Sequence, residues 1–521
     1  MSKQKLNAFL IKEGYNEFDQ IMQMDSVEHI YDLRDDFPTE GKIYVGRNRS
    51  SSPGWLALLE QGSSNTLSTL TNSSTRAVLL IKRNNRIFAF PFGFGRFMTK
   101  DGVFVRDFGI KVVLNSVNPS KLRSVDTATF DELTIHSRTQ TSRTASVNAF
   151  GIDIIRDLLR AVSGEPIDDY YGKVIGGRES VQFVCDLIFD DLVQICDSLY
   201  EKYTDTSYKD SFEWFDNLQM INDPPLLQNL NNKLVAAINE RDDNKFHMAP
   251  PEIIDWSDIA GFSFTEGGTL YDDLLVNDLF NHIQQAPVTI ENLKRRHVFV
   301  KNSDTEVINK WKLFDTFIFE TQHNGDSYIL TIGSWFKIDR SFADQVRLYI
   351  ESIPNDDTDL PSCRLREKEG QYNTRVGEES ENIITLDRRN VYVEGNAIEI
   401  CDLLTRDGKF IHVKPWNSSS TLSHLFAQGR VSAASMLQEE SFQREALDMI
   451  KSIDEDYAGF ANGHDVRPND LHVVFAIIDS DNRSLEDRLP FFSKLNMMHT
   501  VKYLRSMNVK VSKIKIVRQT M

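Results

Sequence analysis

The stretch 398–414, Ile-Glu-Ile-Cys-Asp-Leu-Leu-Thr-Arg-Asp-Gly-Lys-Phe-Ile-His-Val-Lys, places two carboxylates, an imidazole and an ammonium on either side of an Asp-Gly pair. Asp-Gly between apolar runs is a strong hairpin signal. The pattern predicts one strand from Ile398 to Leu403, a turn at 406–409 and a second strand from Phe410 to Lys414. Residues two apart on a strand share a face, so His412 and Lys414 are expected to point the same way, towards a carboxylate on the neighbouring strand. Such a set holds a divalent metal beside a phosphodiester. Asp402 is the candidate ligand, and Lys414 the charge that stabilises the attacked phosphate. His412 is a candidate ligand or general base, and Glu399 a supporting acid. The expected cofactor is Mg²⁺ or Mn²⁺.

These residues need a scaffold, and the element order after residue 362 supplies one. Leu365 to Glu379 reads as a helix carrying Glu367, Glu369 and Tyr372, with Glu369 a second candidate metal ligand. A short strand at Ile383 to Leu386 precedes the hairpin. A helix follows Ser418, Ser419 and Ser420, with Gly429 as its expected stop, and a second helix spans Ala433 to Ile450. The nearly continuous apolar run Leu471 to Ile478 predicts a strand buried on both faces. A helix from Pro490 to Met507 and a strand from Val509 to Val517 close the chain. The order α–β–β–β–α–α–β–α–β predicts a mixed α/β sheet with crossover connections.

Nucleic-acid contact is expected at two places. Ser418 and Ser419 open a helix, where free N–H groups favour phosphate. The tail from Lys494 onward carries Lys502, Arg505, Lys510, Lys513 and Lys515 and no acid, a local basic patch suited to a phosphate backbone. His424 and Gln428 share a helix face beyond the serines. A polar, basic loop expected at 137–148 offers Arg138 and Arg143 as further phosphate contacts.

This order, with an acid on the second strand and a lysine on the third, resembles the restriction-endonuclease-like superfamily known by its PD-(D/E)xK core. Asp402 matches the strand-two aspartate, Lys414 the lysine, and Glu367 or Glu369 the first-helix glutamate. Two departures stand out. His412 occupies the position of an acid, and Cys401 replaces the proline before Asp402. Imidazole suits Mn²⁺ better than Mg²⁺. Glu399 is a substitute only if a bulge turns it to Asp402's side.

The whole chain also resembles a sporadically distributed bacterial family of unknown function found among mobile defence genes. The resemblance rests on Ala89-Phe90-Pro91-Phe92-Gly93-Phe94-Gly95-Arg96-Phe97, Asp107-Phe108-Gly109, and Phe410 to Lys414 with Ser423 to Gly429. It implies a role against phage or foreign DNA. The expected partners are nucleic acid, DNA more than RNA, and a second copy of the chain or a phage protein. The alternative is a sensor whose nuclease-like core has lost its metal.

The chain has 521 residues, a formal net charge of −17 and 26% charged side chains. That excludes a general nucleic-acid coat protein, so any such surface must be local. The length suggests about two to four domains. The reading places an α+β domain at 1–245, a β-rich segment at 250–355 and the nuclease-like α/β domain at 363–521. The acidic, Pro-bracketed run 354–362 is the linker between the last two. Four cysteines without paired spacing, Cys185, Cys196, Cys363 and Cys401, argue against zinc and for buried thiols in a reducing cytoplasm. No apolar run reaches membrane-spanning length, and Gly93-x-Gly95 lacks the spacing of a dinucleotide loop.

Upstream, strands are expected at 5–11, 42–46, 77–82 and 86–92, the last two joined by Asn84-Asn85, with Phe88, Phe90, Phe92 and Phe94 alternating with small residues to make one aromatic face. A strand is also read at 110–114 and a helix at 152–162. Helices are read at 187–203 and 226–238, paired strands at 311–338 around Asn324-Gly325, and a helix capped by Ser341.

Overall fold

A computed structural model gives the fold. It describes all residues except 1–2, 48, 54–55, 64–69, 131–133, 153–156, 242–245, 255–258, 284–286, 303–305, 394–395, 417–418, 462–465 and 520–521. The chain is a mixed α/β protein and divides into two units, residues 1–128 with 136–215, and residues 129–135 with 216–521.

The first unit is built on a ten-stranded sheet. Its hairpin Arg76–Arg83/Arg86–Gly93 turns at Asn84 and Asn85, with φ +52° and +56°. Two successive positive φ values match the right-handed twist of the strands, which is why asparagines occupy the turn. The expected alternation of Phe88, Phe90, Phe92 and Phe94 breaks halfway. Phe88 and Phe90 enter the core, while Phe92 and Phe94 lie exposed at the strand's end. Three other expectations fail. Residues 110–114 belong to the helix Phe108–Leu114, buried on nearly every side, so no polar face marks its period. Residues 137–148 fall largely in the strand Thr134–Ala145. Of the helix expected at 152–162, residues 157–162 belong instead to the strand Asp157–Pro166, and 153–156 lie outside the described residues. There the sheet overrides a helical-looking apolar spacing.

In the second unit, a five-stranded sheet runs Leu218–Met220, Ser334–Ile338, Asp326–Thr331, Phe317–His323, Phe246–Met248. Asn324 and Gly325 make its tight turn at positive φ. The helix Arg340–Glu351 is capped by Asp339, whose carboxylate accepts from Phe342 N at 3.1 Å, rather than by Ser341.

The rest of this unit carries the site. In chain order its elements are α1 (Glu369–Glu379), β1 (Ile383–Thr385), β2 (Asn390–Val393), β3 (Asn396–Glu399), β4 (Leu403–Thr405), β5 (Lys409–Pro415), α2 (Ser419–Gln438), α3 (Glu440–Ile453), β6 (His472–Asp479), α4 (Phe491–Ser506) and β7 (Lys510–Val517). The sheet runs β1-β4-β5-β6-β7. The first three strands are antiparallel, and β6 and β7 are parallel to β5. The strand β6 is apolar along nearly its whole length because helices cover both faces. On one face Ile411, Val413, Val474 and Ala476 pack with Tyr372 and Val376 of α1. On the other, Phe475 meets Phe426 of α2 edge-on, ring centroids 5.3 Å apart.

The stretch 398–414 is not a single hairpin. Residues 396–399 pair with β2 in a separate two-stranded ribbon, and the chain then crosses to β4. The turn between β4 and β5 holds Gly408 at φ +83°. Gly429 does not end α2, which runs on to Gln438. A Cβ at Gly429 would lie 2.6 Å from Phe475 Cε1, so the glycine serves helix–sheet approach rather than termination. The run 354–362 is docked rather than free. Asp356 accepts from Lys409 Nζ at 2.9 Å and Ser512 Oγ at 2.8 Å, and Asp356 N–H bonds to Lys513 O at 2.9 Å.

Candidate metal centre

Strand register explains how the acids meet. The antiparallel pair β1/β4 sets Thr385 opposite Leu403, and Leu386 N–H donates to Asp402 O at 2.8 Å. Asp387, the next residue, therefore lies beside Asp402. The crossing at 400–402, from ribbon to sheet, brings Glu399 to the same point without a bulge in a continuous strand. Oxygens of Asp387, Glu399 and Asp402 lie within 4.8 Å of one another. The first turn of α1 closes in as well. A Cβ on Gly370 would stand only 3.1 Å from Asp387 Oδ2.

Two of the three acids are oriented by neighbours. Asp402 is 2% exposed. Its Oδ2 accepts from Val413 N at 2.7 Å and its Oδ1 from Asn373 Nδ2 at 3.3 Å. Glu399 accepts from Arg388 N at 2.6 Å and from Gln428 Nε2 at 2.9 Å. With their NH₂ groups turned to carboxylates, the amides of Asn373 and Gln428 are fixed in orientation. Asn373 Oδ1 and Gln428 Oε1 are then buried without a hydrogen-bond partner. A buried, unsatisfied acceptor costs free energy unless something binds it. Three carboxylates are a hard donor set, the kind Mg²⁺, Mn²⁺ or Ca²⁺ takes.

Crowding of like charges shows in the protonation. Burial, with the nearby charges of Glu399 and Glu369, raises the Asp402 carboxyl to about 8 despite the Val413 bond and the Lys414 charge. Burial likewise raises Glu399, with Asp387 and Glu369 adding to the effect. A cation bound between the two acids would favour their charged forms against this burial.

The expected residues fall into three groups. Asp402 and Glu399 converge, Glu399 by the crossing at 400–402 rather than by the bulge its spacing called for, and Asp402 is enclosed rather than solvent-reachable. Lys414 is close enough for its charge to act on both, yet its ammonium pairs with Glu369 of α1 and not with Asp402. Burial opposes the charged Lys414; the Glu369 bond and the surrounding acids outweigh it and raise the group. Glu369 thus holds the lysine and stands outside the three-acid cluster. Glu367 is removed from contention: it lies before α1, bound at 2.7 and 3.0 Å by Arg375, which holds it down to about 2.

His412 is a correction. It is 1% exposed and tilted against the Phe475 ring, 6.5 Å between centroids, on the face covered by α2. Its Nε2 has no hydrogen-bond partner, and burial holds the imidazole neutral down to about 3. It belongs to the packing under α2, outside the three-acid cluster.

The basic tail is largely absorbed into the fold. Lys513 is 2% exposed and donates to Ile350 O at 2.6 Å and Ile353 O at 3.0 Å. Lys515 donates to Asp481 O and Arg483 O. Both are corrected as surface contacts. Lys502 and Arg505 remain exposed on α4 over the Tyr349 ring, and Lys510 is exposed at the start of β7. Ser418, and the side chain of Ser419, lie outside the described residues. Among those residues no helix is long and apolar enough to cross a membrane.

Sequence reasoning missed Asp387 and Asn373 as partners, whereas Gln428 was read with His424 as a helix-face residue able to support the metal shell. An acid one residue beyond the expected 383–386 strand was the only signal for Asp387, and its value depended on the β1/β4 register.

The chain belongs to a family of unknown function, DUF6119, whose family model matches residues 6–517. No curated protein and no solved structure matches it.

Proposed function

We propose that this DUF6119 protein is a divalent-cation-dependent nuclease, acting on DNA in preference to RNA, in defence against phage or foreign DNA. The observation that supports the reading is the convergence of Asp387, Glu399 and Asp402 within 4.8 Å beside Lys414. The sheet β1-β4-β5-β6-β7, antiparallel at first and then parallel, is the arrangement that the PD-(D/E)xK resemblance implies for such a site. Defence rests only on the resemblance to a family found among defence genes.

The residues divide the work. Asp387, Glu399 and Asp402 would hold the cation, with Asn373 and Gln428 orienting two of them. When bound, Mg²⁺ or Mn²⁺ would supply Lewis acidity to a phosphate oxygen and a water of lowered pKa. Lys414, fixed by Glu369, places a permanent positive charge where a phosphate gains negative charge. Asp387 substitutes for the acid that His412 displaced from β5.

The test is cleavage of plasmid, single-stranded DNA and RNA with Mg²⁺ or Mn²⁺. Cutting by the wild type, lost in Asp402→Ala and in Asp387→Asn, supports the nuclease. Absence of cutting together with metal binding would sink the catalytic claim.

The burial of Asp402 favours a second reading, a nucleic-acid sensor that binds but does not cut. Salt-sensitive binding through Lys502, Arg505 and Lys510, unaffected by Asp402→Ala, would select it.

A further inference from the structure

The first unit holds a second polar constellation. A hollow of about 320 Å³ opens on one stretch of its sheet, lined among others by Ser124, Asp126, Arg138, Ser163, Arg178 and Gln182. Asp126 is the single acid among the described lining residues. Both its oxygens are engaged. Arg138 reaches it with a two-point fork, Nε at 2.9 Å and Nη2 at 2.7 Å, and Arg178 adds a third bond. Arg160 stands near enough to feel Arg178 and Arg106 as like charges. Burial, with those neighbours, lowers its guanidinium to about 10. Glu179, the other acid acting on Arg160, is already paired with Arg96 at 3.0 Å.

The charges do not balance. Two guanidiniums of the lining, Arg138 and Arg178, share one carboxylate, Asp126, which leaves a surplus of one positive charge, and Arg160 adds to the positive field from beside it. The surplus sits in a chain whose net charge is −17. Like charges gathered at a hollow cost free energy, and an anion there would recover it. The Arg178 side chain is 58% exposed, so one face of the cluster is open to a ligand. Ser124 and Ser163 share a hydroxyl contact of 2.6 Å and add neutral donors at the wall.

We propose that this hollow binds a small phosphorylated molecule, with the phosphate held by Arg138 and Arg178. A phosphate group supplies the opposite charge, and the planar guanidinium fork matches its oxygens. The volume lies at the lower end of the range for small-molecule sites, about 300–1,000 Å³, so a monomer fits better than a polymer. The site is independent of the acidic cluster and stands whether or not the chain cuts nucleic acid.

Calorimetric titration of the full chain with inorganic phosphate and with pyrophosphate tests it. The wild type should bind pyrophosphate saturably. Arg178→Gln, which leaves the Arg138 fork on Asp126, should weaken binding at least about tenfold, the scale of one charge-assisted bond. Asp126→Asn should tighten it by removing the competing anion. If Asp126→Asn fails to fold, as judged by circular dichroism, Arg178→Gln alone decides. No saturable binding, or equal binding by wild type and Arg178→Gln, overturns the proposal. Capture of DNA through Arg178 without capture of pyrophosphate overturns it too.

Discussion

The Lys414 ammonium on β5 is paired with the Glu369 carboxylate in the first turn of α1, and not with Asp402 across the strand pair. The pairing leaves Asp402 to its neighbours Asp387 and Glu399 and fixes the lysine beside the cluster. Glu369 is therefore a positioning residue. Glu369→Gln should retain metal binding and lower cleavage about tenfold through a looser Lys414. Lys414→Ala should lower it by about 10²–10³, the range for removing a transition-state charge partner. Single-turnover cleavage under saturating Mn²⁺ separates the two, and equal losses would show that Glu369 does more than hold the lysine.

Stability should depend on pH through Asp402. Its folded carboxyl titrates at about 8 against an ordinary 3.8. Between those values the folded protein holds a proton that the unfolded chain releases, so stability falls as pH rises through the window. His412, lowered from 6.5 to about 3, acts in the opposite sense below pH 6.5, where the unfolded chain takes up the proton first. The carboxyl is unopposed by that histidine between about pH 6.5 and 8. There the wild type should lose stability relative to Asp402→Asn, with a slope of at most about 1.4 kcal/mol per pH unit. Urea melts of both proteins at several pH values measure the difference. A flat difference across the window would mean that Asp402 ionises normally.

His412→Leu should leave metal binding and cleavage intact, because the imidazole is buried against Phe475 and its Nε2 has no partner. Replacing an unsatisfied polar group by an apolar one of similar size is neutral or stabilising. A loss of metal affinity in this variant, with folding intact, would return His412 to the site.

Gly429→Ala should destabilise the protein by about 1–3 kcal/mol, the usual cost of overpacking. The added carbon would meet Phe475 Cε1 at 2.6 Å. Alanine otherwise favours a helix by about 1 kcal/mol over glycine. A rise in thermal stability would therefore show that α2 shifts freely on the sheet.

The same glycine shows what was legible in the sequence. A glycine late in an apolar pattern reads as a helix stop, and only the position of Phe475 reveals a close approach. Strongly patterned elements were readable: the apolar run of β6, the asparagine turns, and the helix Asp191–Thr204. Residues 152–162 were not, because their apolar spacing suits a helix face and a sheet core equally. At the site, Asp402, Glu399 and Lys414 were visible as residue types near a turn. His412 was misplaced because strand alternation gives a face and not its cover, here α2 and Phe475. Asp387 was hidden because register between β1 and β4 is a tertiary fact. Glu369 was seen as a ligand although its nearest opposite charge, Lys414, lay forty-five residues onward in the sequence.

Titration of Mn²⁺ into the full chain, followed by calorimetry at pH 8, tests the central claim most directly. The wild type should show one saturable site that strengthens as pH rises towards 8, since the cation displaces the Asp402 proton. Asp387→Asn, Glu399→Gln and Asp402→Asn should each abolish it or weaken it at least tenfold. At a metal concentration 100 times Kd, the wild type should gain about 2.7 kcal/mol of stability. Absence of a saturable site in the wild type, or binding unchanged by Asp387→Asn, would contradict the account.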